Sequence, residues 1–400
     1  MKKLMCLTAI FAVFACGGGS KVGPSSGSGP SSGPEGPSTG PGDGPTAIVT
    51  PDFAKGADIS WASEMEAGGR KFKKKDGTSA DLLSVLADCG VNAIRLRVWV
   101  DPYKGYSGKA DVVAMARRAT AAGLALMIDF HYSDFFADPS RQQIPAAWAA
   151  DKADIGKMVQ HVSDHTTEVL QALKEAGVAV HWIQIGNETR GGMLFGSGDL
   201  AYADKGSEFN NYVKLSNAGY DAAKAVYPDA LVMPHINNAF DDSNNTWWFT
   251  NFKNQGGKFD ALALSHYPQE AWSGKTKLSA DDANSRAIAY LKKAVSQFKV
   301  PVIVSEVGVK TQAEEAEAKR VEAEAKRVLQ SFLTEARKIT GVTGVFYWEP
   351  EVDGQWKPAV YGDAAAIKKF TGKSETWNAY PMGAFTTTGA PTSVMDVFAD

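Results

Sequence analysis

The run Ala93-Ile94-Arg95-Leu96-Arg97-Val98-Trp99, the stretch Asp111–Ala122 behind it, and the run Ala125-Leu126-Met127-Ile128-Asp129-Phe130 decide the fold. The outer two are short, largely apolar runs of strand length, and the middle one has the pattern of a helix. Strand, helix and strand in that order read as a β-α-β unit with parallel strands. The unit recurs along the chain. Further strand candidates are Phe53–Ile59, Val180–Gly186, Leu231–His235, Ala261–Ser265, Val300–Ser305 and Val342–Trp348, eight in all with the two above. Between them lie helical patterns at Ser79–Cys89, Lys157–Ala176, Phe209–Val226, Asn284–Gln297 and Gln312–Ile339. Eight such units predict an α/β fold, a single (β/α)8 TIM barrel over residues 51–400.

What precedes residue 51 has a different composition. Met1-Lys2-Lys3 followed by Leu4 to Ala15 reads as a signal peptide, because the apolar run is too short to span a bilayer. Residues 1–15 are therefore expected to be removed. Val13-Phe14-Ala15-Cys16 resembles the bacterial lipobox, which implies a lipidated Cys16 at the mature N-terminus. Residues 16–50 are mostly Gly, Ser and Pro, which bury no core and predict a flexible tether. The expected product is exported and anchored by lipid to a bacterial membrane, on the cell surface or the periplasmic face.

Composition excludes several classes. With 44% hydrophobic and 22% charged residues the chain is globular rather than disordered. Lys+Arg 42 against Asp+Glu 45 leaves a formal charge of -3, so no positive field draws in nucleic acid. Of the three cysteines two lie in the leader region, so no disulfide framework exists and Cys89 is expected to be a lone buried thiol. Ala57-Asp58-Ile59-Ser60 lacks the glycine spacing of a phosphate cradle, and no nucleotide or other cofactor is implied. His161 and His165 are four apart on a helix, but Val162 stands where a zinc protease needs Glu, and the pair reads as surface helix. The repeat EAEAKRV, at Glu315–Val321 and Glu322–Val328, puts Ala318, Val321, Ala325 and Val328 on one helical face. The basic run Arg70–Lys75 reads as a solvated loop.

In a barrel the active site lies at the C-terminal ends of the strands, so the polar residues there carry the chemistry. They include Asp58, then Arg95, Arg97 and Trp99 on one strand face, and Asp129 with His131 and Asp134. Asn187-Glu188, His266-Tyr267, Glu306 and Trp348-Glu349 follow. Glu188 and Glu306 end strands three positions apart around the ring and would face each other across the mouth. Two such carboxyls are what glycosidic cleavage requires, one to protonate the leaving oxygen and one to attack the anomeric carbon or activate water.

Asn187-Glu188 after the fourth strand, Glu306 after the seventh, Gly90-x-Asn92-x-x-Arg95 and a terminal Trp348 resemble the clan A retaining glycosidases. Within that clan, Gly90 to Trp99 with Asp101-Pro102, Asp129 to Asp134, Trp182-x-Gln184-x-Gly186-Asn187-Glu188 and Phe346 to Pro350 resemble glycoside hydrolase family 53. These are the arabinogalactan endo-β-1,4-galactanases. The resemblance covers the chain from about Gly56 to Pro350. It implies Glu188 as acid/base and Glu306 as nucleophile, with retention. It further implies Arg95 or Arg97 as the group that keeps the nucleophile ionised, Tyr267 or His266 as its orienter, Asn187 on the sugar 2-hydroxyl and Trp348 as apolar floor. Asp58, Trp99 and His131 join the expected substrate-binding set, while Trp247, Trp248 and Trp272 are divided between flanking subsites and packing. Some bacterial relatives hold calcium in the loop after strand seven. Here Val307-Gly308-Val309-Lys310-Thr311-Gln312 lacks those ligands, so no metal is expected and product length is in question.

The resemblance implies a polysaccharide partner, the β-1,4-galactan side chains of pectin, with the membrane met only through the lipid anchor, and the expected state is a monomer. Three alternatives remain: another clan A glycanase such as a mannanase, a non-hydrolytic surface glycan binder, and a metal-dependent aldose isomerase. The third-strand loop argues against the first and the intact carboxylate pair against the second. The third wants more Asp, Glu and His at the strand ends.

Overall fold

A computed structural model describes residues 49–195, 209–377 and 381–399. The expected signal peptide, Cys16 and nearly all of the tether lie outside the described residues. The eight barrel strands are β1 (Ala54–Asp58), β2 (Ala93–Val98), β3 (Ala125–Phe130), β4 (Trp182–Ile185), β5 (Leu231–Ile236), β6 (Leu262–His266), β7 (Val302–Val307) and β8 (Val342–Trp348). They close into one all-parallel ring, β8 pairing with β1 at Trp348 opposite Asp58 and β1 pairing with β2 at Asp58 opposite Arg95. The strand candidates match these within two residues at each end.

Alternation divides the apolar residues into two layers. Ala93, Ala125, Met127, Trp182, Met233, Ala263, Ile303 and Phe346 fill the barrel interior, where the Trp182 and Phe346 rings meet edge to face at 5.8 Å. Ile94, Leu96, Leu126, Ile128, Ile183, Ile185 and Val304 face outward into the layer packed by the helices. Those helices are α1 (Ala62–Ala67), α2 (Leu82–Asp88), α3 (Lys109–Ala121), α4 (Ile155–Glu175), α5 (Asn210–Val226), α6 (Asp242–Asn254), α7 (Ala280–Phe298), α8 (Ala318–Arg337) and α9 (Ala364–Thr371). Side-chain caps fix several starts: Asp81 accepts from the Leu83 amide, Asp154 from those of Gly156 and Lys157, and Ser279 from that of Asp282. Each such cap is worth about 1 kcal/mol.

The structure corrects the sequence reading at three places. The helix expected from Gln312 starts only at Ala318, because residues 312–317 are exposed and offer nothing to bury, whereas Ala325 and Val328 are fully buried. His165 is not on the surface: it is buried and packs edge to face with Phe130, Tyr132 and Trp148. Burial pushes its imidazole pKa down to about 4. Helix α6, rich in Asn, Thr and Trp, was absent from the expected pattern; burial of Trp248, Phe249 and Phe252 holds it despite weak propensity. Cys89 is a free, buried thiol. The basic run carries paired charges, Lys74 with Asp88 at 2.8 Å and Arg70 with Asp353.

Candidate active site

Strand alternation first builds a buried polar floor. Asp58, Arg95, Asp129, Gln184 and His235 lie on the inward rows of β1 to β5, and all are at most 1% exposed. Arg95 is the hub. Its Nη1 donates to Asp58 at 2.7 Å, and its Nη2 lies 2.8 Å from Asp129, 2.8 Å from Glu306 and 2.9 Å from Asn187 Oδ1. Burial works against its charge, but Asp129, Glu306 and Asp58 outweigh that and raise its pKa. An arginine here is a fixed positive fork that stays charged.

The two glutamates reach this floor by departures from regular strand geometry. After β4, Gly186 takes φ 79° and Glu188 itself φ 49°, a left-handed turn that swings the carboxyl back over the barrel mouth. On β7, Ile303 points inward and Val304 outward, so strict alternation would turn Glu306 outward. A register shift between Val304 and Glu306 inserts a β-bulge, and Glu306 faces the interior instead. One carboxylate oxygen of Glu188, one of Glu306 and a ring nitrogen of His235 lie within 4.8 Å of one another.

Glu306 is held on both oxygens. Arg95 binds Oε1, and the hydroxyls of Tyr267 and Ser265 donate to Oε2 at 2.7 and 3.3 Å. Behind Ser265 stands His235. Its Nδ1 lies 2.9 Å from the Gln184 side-chain amide and 3.0 Å from Asn187 Oδ1 and accepts the Glu188 backbone amide at 3.3 Å, while Nε2 lies 2.7 Å from Ser265 Oγ. Burial, Arg95 and His131 keep the His235 imidazole pKa well below its usual value. Both nitrogens are thus spent inside the protein, so the Glu188, His235 and Glu306 trio lacks a free imidazole for a metal.

The carboxyls differ in what surrounds them. Burial and then the Glu306 charge push Glu188 up to about 8. Burial also raises Glu306, but Arg95 and the Tyr267 hydroxyl pull in the opposite direction. A proton shared by the pair therefore rests on Glu188, with Glu306 as the anion. With one oxygen of each carboxyl within 4.8 Å of the other, the pair falls on the side of the roughly 5–5.5 Å carboxyl spacing of retaining glycosidases rather than the wider spacing of inverting ones.

A cleft of about 460 Å³ opens above the pair, lined among others by His131, Asn187, Glu188, Tyr267, Glu306 and Trp348. Gly308 packs against one lining residue: a Cβ there would come within 2.8 Å of the Tyr267 ring. Of the expected site residues, Asp58 and Arg95 lie beneath the cleft. Three others sit elsewhere than expected. Arg97 does not reach Glu306; it pairs with Glu349 and stacks between Trp61 at 4.2 Å and Trp99 at 4.6 Å. Trp99 is buried and spends its indole N–H on His131 Nδ1 at 3.2 Å. His266 belongs to the outward row of β6, where it bonds Asn284 at 2.8 Å and packs on Phe332, so of the two it is Tyr267 that reaches Glu306. His131 lines the cleft with both nitrogens occupied, Nε2 lying 2.9 Å from Asp129. Trp248 is buried, while Trp247 and Trp272 are 44% and 53% exposed.

Ser265, Gln184 and His235 escaped the sequence reading as members of the site. Their signal was alternation: each lies on the inward row of its strand, two positions from Ala263, Trp182 and Met233.

A closed eight-stranded barrel with two facing carboxyls at the C-terminal ends of β4 and β7 defines a glycoside hydrolase. The chain belongs to a particular one of these families, described as glycosyl hydrolase family 53, whose match spans residues 54–398. It is 32% identical over 304 residues to the arabinogalactan endo-beta-1,4-galactanase of Humicola insolens, covering 73% of this chain and 88% of the relative. The endo-beta-1,4-galactanase of Bacillus subtilis is 29% identical over 355 residues, 83% of this chain and 76% of that protein. Among solved structures, a fungal beta-1,4-galactanase superposes with a TM-score of 0.68 at 28% identity, covering 86% of this chain and 98% of that one.

Proposed function

We propose that the chain is a retaining endo-β-1,4-galactanase acting on the (arabino)galactan side chains of pectin. The observation that carries this reading is the Glu188–Glu306 pair, within 4.8 Å and unequal in proton affinity, in a chain of family 53. In the first step Glu188 gives its proton to the glycosidic oxygen as that oxygen's bond to the anomeric carbon breaks. A Glu306 oxygen attacks the opposite face and forms a covalent galactosyl ester. In the second step Glu188, now a carboxylate, takes a proton from water. The resulting hydroxide adds to the anomeric carbon and Glu306 leaves as the anion it began as. Arg95 and the Tyr267 hydroxyl hold that anion ready, Trp348 supplies an apolar floor under the attacked sugar, and Asn187 meets its 2-hydroxyl.

Export and lipid anchoring through Cys16 belong to the same proposal, since a polymer substrate is met outside the cell. Replacement of Cys16 by Ser should release the protein from the membrane fraction. For the activity, the test is product analysis with linear β-1,4-galactan beside mannan and xylan. Short galacto-oligosaccharides from the wild type, and none from Glu306→Ala, are expected. Cleavage of mannan or xylan with galactan left intact overturns the substrate assignment.

A further inference from the structure

The two glutamates divide the barrel mouth unequally. Going round the ring from Glu188 on β4 to Glu306 on β7, only β5 and β6 lie on one side, while β8, β1, β2 and β3 lie on the other. A polysaccharide threaded between the carboxyls enters over one set of loops and leaves over the other. On the reading above, the attacked sugar rests on Trp348 beside Asn187 and the Arg95 floor, toward the larger set. The leaving portion therefore runs out over the loops that follow β5 and β6.

Those two loops line the catalytic cleft with Asn237, Asn238 and Glu270. A few residues farther along, the same loops, the first turn of α6 and one face of α7 line a second, open cavity of about 660 Å³, larger than the catalytic cleft itself. Trp272 stands in its wall on a two-stranded hairpin, Trp272–Ser273 paired with Thr276–Lys277, turned by Gly274 at φ 59°. The indole is 53% exposed while the adjoining Ala271 is fully buried, so a firmly seated base presents a large uncovered ring. Polar groups surround it. Lys293 and Asp242 hold each other at 2.6 Å, Asn244 is tied to Asp241 at 2.7 Å, and Arg286 on α7 has no ion-pair partner among the described residues. An exposed indole with a free guanidinium and a fixed amide in the same lining suits a neutral sugar, whose C–H face packs on the ring and whose hydroxyls bond to the rim.

We propose that this second cavity binds the leaving-group side of the galactan chain, with Trp272 as its stacking platform. The inference rests on the galactanase reading and adds to it a distal subsite beyond the bond being cut. The site makes long chains better substrates than short ones and holds the acceptor when a sugar rather than water resolves the galactosyl ester.

The test compares the full chain with Trp272→Ala on linear β-1,4-galactan and on an aryl β-galactobioside, whose small leaving group cannot reach the second cavity. The ratio of kcat/KM for polymer over aryl substrate is expected to fall about tenfold, the scale of one lost aromatic contact. Trp272→Phe should recover part of it, and transfer to added galactotriose should fall in parallel. An unchanged ratio with transfer retained overturns the inference. So does an equal loss on both substrates, which marks a general disturbance of the barrel. If the wild type leaves galactan intact, it is the galactanase reading that fails. Galactan binding by Glu306→Ala with and without Trp272→Ala, measured calorimetrically, then decides the cavity separately: equal affinities overturn it.

Discussion

Arg95 and Glu306, 211 positions apart in the chain, are joined by a 2.8 Å ion pair at the centre of the barrel mouth. The same guanidinium also binds Asp58 and Asp129, so three buried carboxylates depend on one cation. Removing one partner of a buried charge group leaves the others uncompensated, which costs about 3–5 kcal/mol. Arg95→Ala is accordingly expected to lose that much stability in urea unfolding. Arg95→Lys keeps a charge but not the fork, and should fold with reduced kcat. Wild-type stability in the Ala variant would remove Arg95 from its central role.

The unequal neighbours of the two glutamates predict unequal consequences. Glu188→Gln keeps volume and removes the transferable proton, so kcat on galactan should fall by about 10²–10⁴. An aryl galactoside whose leaving group departs without protonation should suffer less in the first step. Glu306→Ala should abolish turnover of both. Initial rates on the two substrates separate these patterns, and the reverse assignment of roles would exchange them.

The pH profile follows from the same asymmetry. Catalysis needs Glu188 protonated and Glu306 ionised, and Glu188 releases its proton at about 8. The alkaline limb of kcat/KM should therefore fall near that pH. The acid limb belongs to Glu306, whose anion the Tyr267 hydroxyl stabilises at 2.7 Å. Tyr267→Phe removes that stabilisation, raises the Glu306 pKa, and should move the acid limb to higher pH while the alkaline limb stays nearly fixed. A folded-state pKa raised above the ordinary 4.5 means that ionising Glu188 destabilises the fold as pH rises through about 8. Glu188→Gln should therefore gain in Tm relative to wild type at pH 9 and not at pH 4.

The barrel was legible because its strands are buried on both faces and its helices are amphipathic, patterns that local sequence records directly. Glu188 and Glu306 were legible as strand-end carboxyls. Their aim was not: Glu306 faces inward only through a bulge that alternation contradicts, and Glu188 through a left-handed residue. The expectation for His266 failed for the opposite reason, since alternation from Ala263 and Ser265 places it outward and that pattern was outweighed by its position at a strand end. The choice between Arg95 and Arg97 lies in depth along one strand face. The deeper residue meets Asp58, Asp129 and Glu306, and the shallower one meets Glu349 and the rings of Trp61, Trp99 and Phe136.

Gly308 offers a test of how the nucleophile's hydroxyl partner is held. An added Cβ would lie 2.6 Å from the Met382 sulfur and 2.8 Å from the Tyr267 ring. The Met382 side chain is flexible and can yield. The Tyr267 ring cannot move without loss, because its hydroxyl is bonded to Glu306 and its edge meets Trp348 at 5.9 Å between centroids. Backbone conformation is no obstacle, since Gly308 does not have a positive φ. Gly308→Ala should therefore act as overpacking, destabilising by about 1–3 kcal/mol, and should lower kcat by displacing the hydroxyl from Glu306. In a Tyr267→Phe background the hydroxyl is already gone, so the same substitution should cost little further activity. A double-mutant cycle on kcat measures this coupling. Additive losses would mean that Gly308 acts on the site by a route other than Tyr267.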